Sequence, residues 1–311
     1  MQGVYHKMKK RFVKIISLVL AVSVIFGSAA VMSFAAIDGY VLSVADARKV
    51  LRDAVGLEKL SDADRKIADM DFDSVISVAD ARTVLRLAVQ LDIIDGKTYE
   101  NEYEMLSGGQ YTATLSYTAL NEEGVPKTYT FKLAVTPYSF KMDVGNMMSM
   151  LEKDFGGSDA GLDKMFEMFK ISSVLFAGGK ISLIDEENKQ SLTVSEKEVG
   201  GDFSEVKSII KEVIPDLHPS LSAASSKKSA VLDGRECTVY VFDCTAENGV
   251  QYTSNVYMNG KKLLKIESVG SNGELIGSVV FDSLSRVVNV SDTNIKSYDD
   301  IPVTDIGGLF G

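Results

Sequence analysis

The chain has 311 residues, 45% of them apolar, and a formal charge of −10. That length favours two domains, and the apolar share is enough for ordinary cores. Two histidines and no tryptophan are present. His6 falls in a leader-like segment, so His218 stands alone; this excludes a multi-histidine zinc site and a tryptophan sugar-stacking face, and it weakens any Ser-His-Asp arrangement. Loss of the leader removes Lys7, Lys9, Lys10, Arg11 and Lys14 and takes the charge to −15, the wrong sign for nucleic acid or an anionic membrane.

Lys7 to Lys14 is basic, Ile15 to Phe26 is almost wholly apolar, and Ser33-Phe34-Ala35 places small residues at the −3 and −1 positions of a cleavage site. Residues 1–35 therefore read as a secretory signal peptide, its apolar run being short for a span of about 20 residues. No later segment is long and apolar enough to cross a bilayer as a helix. The mature protein is expected to be secreted, extracellular or held at the cell surface by a partner.

A repeat of 34 residues follows. Ser43-Val44-Ala45-Asp46-Ala47-Arg48-Lys49-Val50-Leu51-Arg52-Asp53-Ala54-Val55 returns as Ser77-Val78-Ala79-Asp80-Ala81-Arg82-Thr83-Val84-Leu85-Arg86-Leu87-Ala88-Val89, with eleven of thirteen positions identical, so this is a duplicated unit. Val44, Ala47, Val50, Leu51, Ala54 and Val55, and their equivalents 34 residues on, sit at helical spacing. Each copy is a loop feeding an amphipathic helix. Ser61-Asp62-Ala63-Asp64 predicts the cap of a short linking helix between them.

The loop before the second helix runs from Asp69 to Asp80. Asp69, Asp71, Asp73 and Asp80 occupy positions 1, 3, 5 and 12 of a twelve-residue loop, Val75 offers a carbonyl at 7 and Ser77 stands at 9. That is the oxygen spacing of an EF-hand calcium site, for an ion that takes six to eight oxygens. Ser74 occupies the position where the turn wants glycine, which predicts strain. The first copy has Ala35, Ile37 and Gly39 at positions 1, 3 and 5, so one calcium site is expected, in the second repeat.

At these residues the chain resembles a type I dockerin, in which two loop–helix units of EF-hand character plug calcium-dependently into cohesin modules. The resemblance spans about Ile37 to Asp92, within a module taken as residues 36–98. It implies partner contacts from Val44, Ala45, Val78 and Ala79, with Arg48, Arg52, Arg82 and Arg86 on the same helices; the Val-Ala pairs serve equally well as core.

From Tyr99 the pattern alternates apolar and polar: Tyr111–Thr118, Thr128–Thr136, Ser139–Val144, Ser172–Ala177, Lys180–Ile184, Gln190–Ser195, Cys237–Thr245, Gln251–Met258, Lys262–Val269 and Glu274–Asp282. Glu247-Asn248-Gly249, Asn259-Gly260 and Asn272-Gly273 predict tight hairpins. The reading is an antiparallel meander of about ten strands, interrupted by helices over 146–155, 160–170 and 203–214. Cys237 and Cys244, seven apart on one strand, are some 23 Å apart when extended, too far to bridge each other. The runs Asp185-Glu186-Glu187 and Asp299-Asp300 read as solvated faces, and no catalytic constellation stands out.

The meander order, the Leu232-Asp233-Gly234-Arg235-Glu236-Cys237 entry to a strand and the Asn259-Gly260-Lys261-Lys262-Leu263 hairpin resemble the LolA-like lipoprotein-carrier fold, over about 109–297. The resemblance implies a non-catalytic half-barrel around an apolar interior, with Met147, Met148, Leu162, Met165, Phe166 and Phe169 either lining a ligand mouth or completing a core. The fold class is thus α+β: a small all-α module at 36–98 and a curved antiparallel sheet domain at 99–311. Two functions compete. One is a non-enzymatic docking protein whose module binds a cohesin-type partner or its own β domain; the other is an extracytoplasmic carrier or sensor of an apolar, lipid-like ligand.

Overall fold

The computed structural model describes residues 42–95, 97–120, 125–136, 138–144, 170–178, 180–195, 220–246 and 249–301. The leader and, Lys170 apart, the helical inserts lie outside these residues, and with them Met147, Met148, Leu162, Met165, Phe166 and Phe169. Among the described residues the chain divides into two compact units, one of 42–130 and 220–290, the other of 131–195 and 291–301.

The first unit opens with α1 (Val44–Ala54), α2 (Asp62–Ala68) and α3 (Val78–Ala88). Ser43, Ser61 and Ser77 cap them by accepting the amides of Asp46, Asp64 and Asp80, and at Ser43 and Ser77 the acid three residues on closes a capping box. Each such cap contributes about 1 kcal/mol. Ala47 and Val50 of α1 pack with Ala81 and Val84 of α3 over Ala68, Met70 and Ile76, and the two alanines let the helices approach closely.

The periodicity predicts one apolar face per helix, but the structure divides it. Ala47 and Val50 are buried, while Val44, Leu51 and Val55 are exposed, and the same holds for Ala81 and Val84 against Val78, Leu85 and Val89. The duplication also reaches past position 55. Arg52 pairs with Glu58 at 2.8 Å and Arg86 with Asp92 at 2.6 Å, and Gly56 and Gln90 both take positive φ at the helix ends.

The chain continues through β1 (Asp92–Ile93), α4 (Glu102–Gly108), β2 (Tyr111–Leu120), β3 (Pro126–Val135), β4 (Ser139–Asp143), β5 (Ser173–Ala177), β6 (Lys180–Asp185) and β7 (Gln190–Ser195). It ends with β8 (Ser226–Leu232), β9 (Arg235–Thr245), β10 (Gln251–Asn259), β11 (Lys262–Gly270), β12 (Leu275–Ser285), β13 (Val288–Asn289) and β14 (Asp299–Asp300). The class is α+β with a large antiparallel sheet, as the alternation predicts.

In the unit that holds the helices the hydrogen-bonded order is β3-β2-β12-β11-β10-β9-β8, with β1 and β13 paired apart. In the other it is β14-β7-β6-β5-β4-β3; β3 contributes to each, dividing between Thr130 and Phe131. A single meander does not describe this order, because β12 returns to pair with β2, Val280 opposite Ser116. The tail supplies β14, which runs parallel to β7 with Asp299 opposite Gln190.

Three local readings change. Leu232 to Cys237 is a hairpin, not merely the entry to a strand: Asp233 and Gly234 both have positive φ, and Leu232 pairs with Arg235, the two-residue Asp-Gly turn. In the β10–β11 hairpin Asn259 is the last paired residue, so Gly260-Lys261, with Gly260 at φ 59, forms the turn. Asp185 is buried rather than solvated: its carboxylate accepts the amides of Lys170, Glu187 and Asn188 and the Asn188 side chain, and Glu186 accepts from Lys141, Lys189 and Tyr298. Burial alone would raise the Asp185 pKa, but the donors from Asn188, Lys170 and Glu187 outweigh it and hold it below the usual range. Cys237 and Cys244 are both free thiols.

Candidate metal centre and docking face

The Asp69–Asp80 loop is shaped by its own acids. Asp71 accepts the Asp73 amide at 3.2 Å, Asp73 accepts the Val75 amide at 2.7 Å, and Asp69 Oδ2 accepts the Ser74 amide at 3.1 Å. These turns bend the chain tightly enough to put Phe72 at φ 57 and Ser74 at φ 69, a left-handed conformation that a glycine would adopt without strain. As a result, one carboxylate oxygen each from Asp69, Asp71 and Asp73 lies within 4.8 Å of the others.

Asp80 closes the loop. Its Oδ1 accepts the Met70 amide at 2.9 Å, and its Oδ2 accepts the Ser77 amide and hydroxyl at 2.8 and 2.7 Å. Asp80 is buried and within electrostatic reach of Asp69 and Asp71, while the Ser77 side chain is committed to the cap. At position 7 it is the Val75 amide that donates to Asp73, whereas the expected ligand there is the Val75 carbonyl.

Asp69 is 5% exposed, and its Oδ1 has no hydrogen-bond partner among the described residues. Burial, with the charges of Asp73 and Asp80, pushes its carboxyl above the usual carboxylate range, and burial does the same at Asp71. A carboxylate oxygen can only accept, so an orphaned one beside two further acids is a donor set that suits a hard cation. Loop positions 1, 3 and 5 therefore offer part of the donor set that the spacing predicts, while Asp80 and the Ser77 hydroxyl are engaged with each other in the helix cap.

One cation already borders the loop. Lys261, in the β10–β11 turn, places its ammonium 3.7 Å from Asp69 Oδ2. The turn is anchored by α4: the Glu102 amide donates to the Lys261 carbonyl at 3.0 Å, and Glu102 Oε2 accepts the Leu263 amide at 2.7 Å. The helical repeat is thus tied to the β10–β11 hairpin of its own unit, and β1, just after α3, pairs with β13 in a separate two-stranded sheet, where Asp92 faces Asn289 and Ile93 faces Val288.

The second feature is a surface. Four pairs of apolar residues related by the 34-residue repeat are exposed by 41–70%: Val44 and Val78, Leu51 and Leu85, Val55 and Val89, Leu57 and Leu91. Positions 44, 48, 51 and 55 lie on one narrow stripe of a helix, roughly 100° around from 47, 50 and 54. Arg48 and Arg82 sit within the stripes, exposed and without a side-chain partner among the described residues. Ala45 and Ala79 are exposed beside them. Arg52 and Arg86 instead point to Glu58 and Asp92. The helical spacing puts Val44, Leu51 and Val55 on one apolar face with Ala47 and Val50, and the resemblance offers only Val44 of the three as a contact residue; the exposure shows the rest of the stripe.

No family model matches the chain, and no curated protein does, so the dockerin resemblance rests on the residues quoted for it. Among solved structures the chain is similar to an uncharacterized conserved protein from Thermus thermophilus, at 7% identity and a TM-score of 0.29, over 62% of this chain and 90% of that one. It is similar to the MucA/MucB complex structure from Pseudomonas aeruginosa at 11% identity and a TM-score of 0.26, over 60% of this chain and 56% of that one, little more than half its length. A LolA superfamily protein from Nitrosomonas europaea gives 9% identity and a TM-score of 0.20, over 64% of this chain and 90% of that one. Superpositions this loose do not establish a common fold or function.

Proposed function

We propose that the chain is a secreted, non-catalytic binding protein whose loop–helix repeat docks on a protein partner of cohesin type, with calcium held by Asp69, Asp71 and Asp73 and the loop closed by Asp80. The observation that supports it is the repeat-related exposure of Val44, Leu51, Val55 and Leu57 with Val78, Leu85, Val89 and Leu91. A scattered exposed leucine needs no explanation. Eight exposed apolar residues falling into four repeat-related pairs, on and just beyond two helices whose core is filled by other residues, are what a surface kept for contact would present. Arg48 and Arg82 give that surface positive charge in an acidic chain and favour a partner with carboxylates at its rim.

The test is capture by immobilised cohesin modules, with calcium and with chelator, of the wild type and of the Val44→Asp/Val78→Asp double variant. Capture that needs calcium and is lost in the double variant supports the docking reading; capture by no cohesin module removes it. The other reading, an extracytoplasmic carrier of an apolar ligand, is the kind of role that the LolA name suggests. Its lining residues lie outside the described residues, and mass spectrometry of ligand co-purified with the chain tests it.

A further inference from the structure

We infer that Lys261 is a built-in competitor for the loop cation: its ammonium neutralises Asp69 when no divalent ion is bound and is displaced when one enters. The inference rests on the metal reading above and adds to it a residue 192 positions away, outside the repeat.

The geometry carries the argument. Asp69 Oδ2 accepts the Ser74 amide and lies 3.7 Å from the Lys261 ammonium as an ion pair, while Oδ1 is buried and has no partner among the described residues. The ammonium therefore lies beside the oxygen cluster that a cation would use. Its place is set by the backbone, because α4 holds the Lys261 carbonyl through the Glu102 amide and holds the next strand through the Leu263 amide on Glu102. The Lys261 side chain is 42% exposed, so the ammonium can swing into water without moving that anchored backbone. Lys262, the next residue, acts on Asp71 in the same sense. The turn of the β10–β11 hairpin thus puts one ammonium against the acidic loop, and cation binding and the Lys261–Asp69 contact are reciprocally coupled: whatever strengthens one weakens the other.

A divalent ion and an ammonium about 5 Å apart, at a dielectric close to that of water, repel enough to change affinity about tenfold. Calorimetric titration of calcium into the full chain from residue 36, in chelator-stripped buffer, is expected to show about tenfold tighter binding for Lys261→Gln and unchanged binding for Lys189→Gln in the other unit. Equal affinity of wild type and Lys261→Gln, within twofold, overturns the inference and leaves the metal site standing; no heat of binding in either chain overturns both. Acetylation of the wild type with acetic anhydride, read by mass spectrometry, gives a second measure. Calcium is expected to speed modification of Lys261 and not of Lys189, and an unchanged Lys261 rate counts against displacement.

Discussion

Glu102 makes the stability of this protein depend on pH in an unusual direction for a carboxylate. It is 5% exposed at the start of α4, its Oε2 fixed by the Leu263 amide. Burial, with some repulsion from Asp71, raises its pKa from 4.5 to about 7 against the opposing pull of that amide and Lys262. The folded chain therefore prefers the neutral acid. The stability this group contributes is fully present below about pH 4.5 and is lost as pH rises through 7. At about 1.36 kcal/mol per pH unit, the loss between pH 5 and pH 8 is about 2–3 kcal/mol. Glu102→Gln keeps an acceptor for the Leu263 amide and cannot ionise. Urea unfolding of both chains at pH 5, 6, 7 and 8, with chelator throughout, isolates this group from every other that titrates. The variant is expected to gain on the wild type as pH rises, by about 2–3 kcal/mol at pH 8 relative to pH 5. Parallel curves for the two chains, or a wild type that gains on the variant, would refute the assignment.

Calcium is expected to bind once: titration should give one site, abolished in Asp71→Ala/Asp73→Ala, and two equal sites would sink the reading of the first loop as ligand-poor. Calcium at a hundred times Kd should raise unfolding stability by about 2.7 kcal/mol, and a thermal midpoint indifferent to chelator would count against the site. Val84→Ala empties the centre of the helical core, where the side chain is wholly buried, and should cost about 2 kcal/mol in urea unfolding. A change below about 0.5 kcal/mol would mean that α1 and α3 do not share that core.

How much of this is legible in the sequence follows from the range of each interaction. The repeat, its caps and the acid spacing are local, and residue identity with a 34-residue offset suffices to find them. Helical periodicity marks Val44, Leu51 and Val55 as apolar but says nothing about which sector of the helix meets a neighbour, so it does not separate the exposed stripe from the core and leaves Val44 open between contact and packing. β8 escapes the pattern because Ser226-Lys227-Lys228-Ser229 has no apolar alternation; the strand is largely exposed, and the Asp233-Gly234 turn is its one local signal. Asp185 misleads because an acidic run reads as a solvated surface, whereas this run caps the β6–β7 turn with buried hydrogen bonds. Lys261 and Glu102 exert their effects across 192 and 161 residues of chain, and no spacing rule reaches that far.

The two halves of the repeat also separate what the module needs from what one copy has acquired. The acids at loop positions 1, 3 and 5 occur only in the second copy, where Asp69, Asp71 and Asp73 correspond to Ala35, Ile37 and Gly39 of the first. The capping box, the arginine–carboxylate pair after the helix and the exposed stripe occur in both. A cap and an ion pair hold a helix, and drift in one copy would cost stability there. The stripe costs solubility and contributes nothing to the core, which Ala47, Val50, Ala81 and Val84 fill without it. Four apolar positions that match across two copies, with Leu57 and Leu91 beyond the helix ends, are the ones that the proposed docking contact would use, and a cation on Asp69, Asp71 and Asp73 would brace the loop that leads into α3.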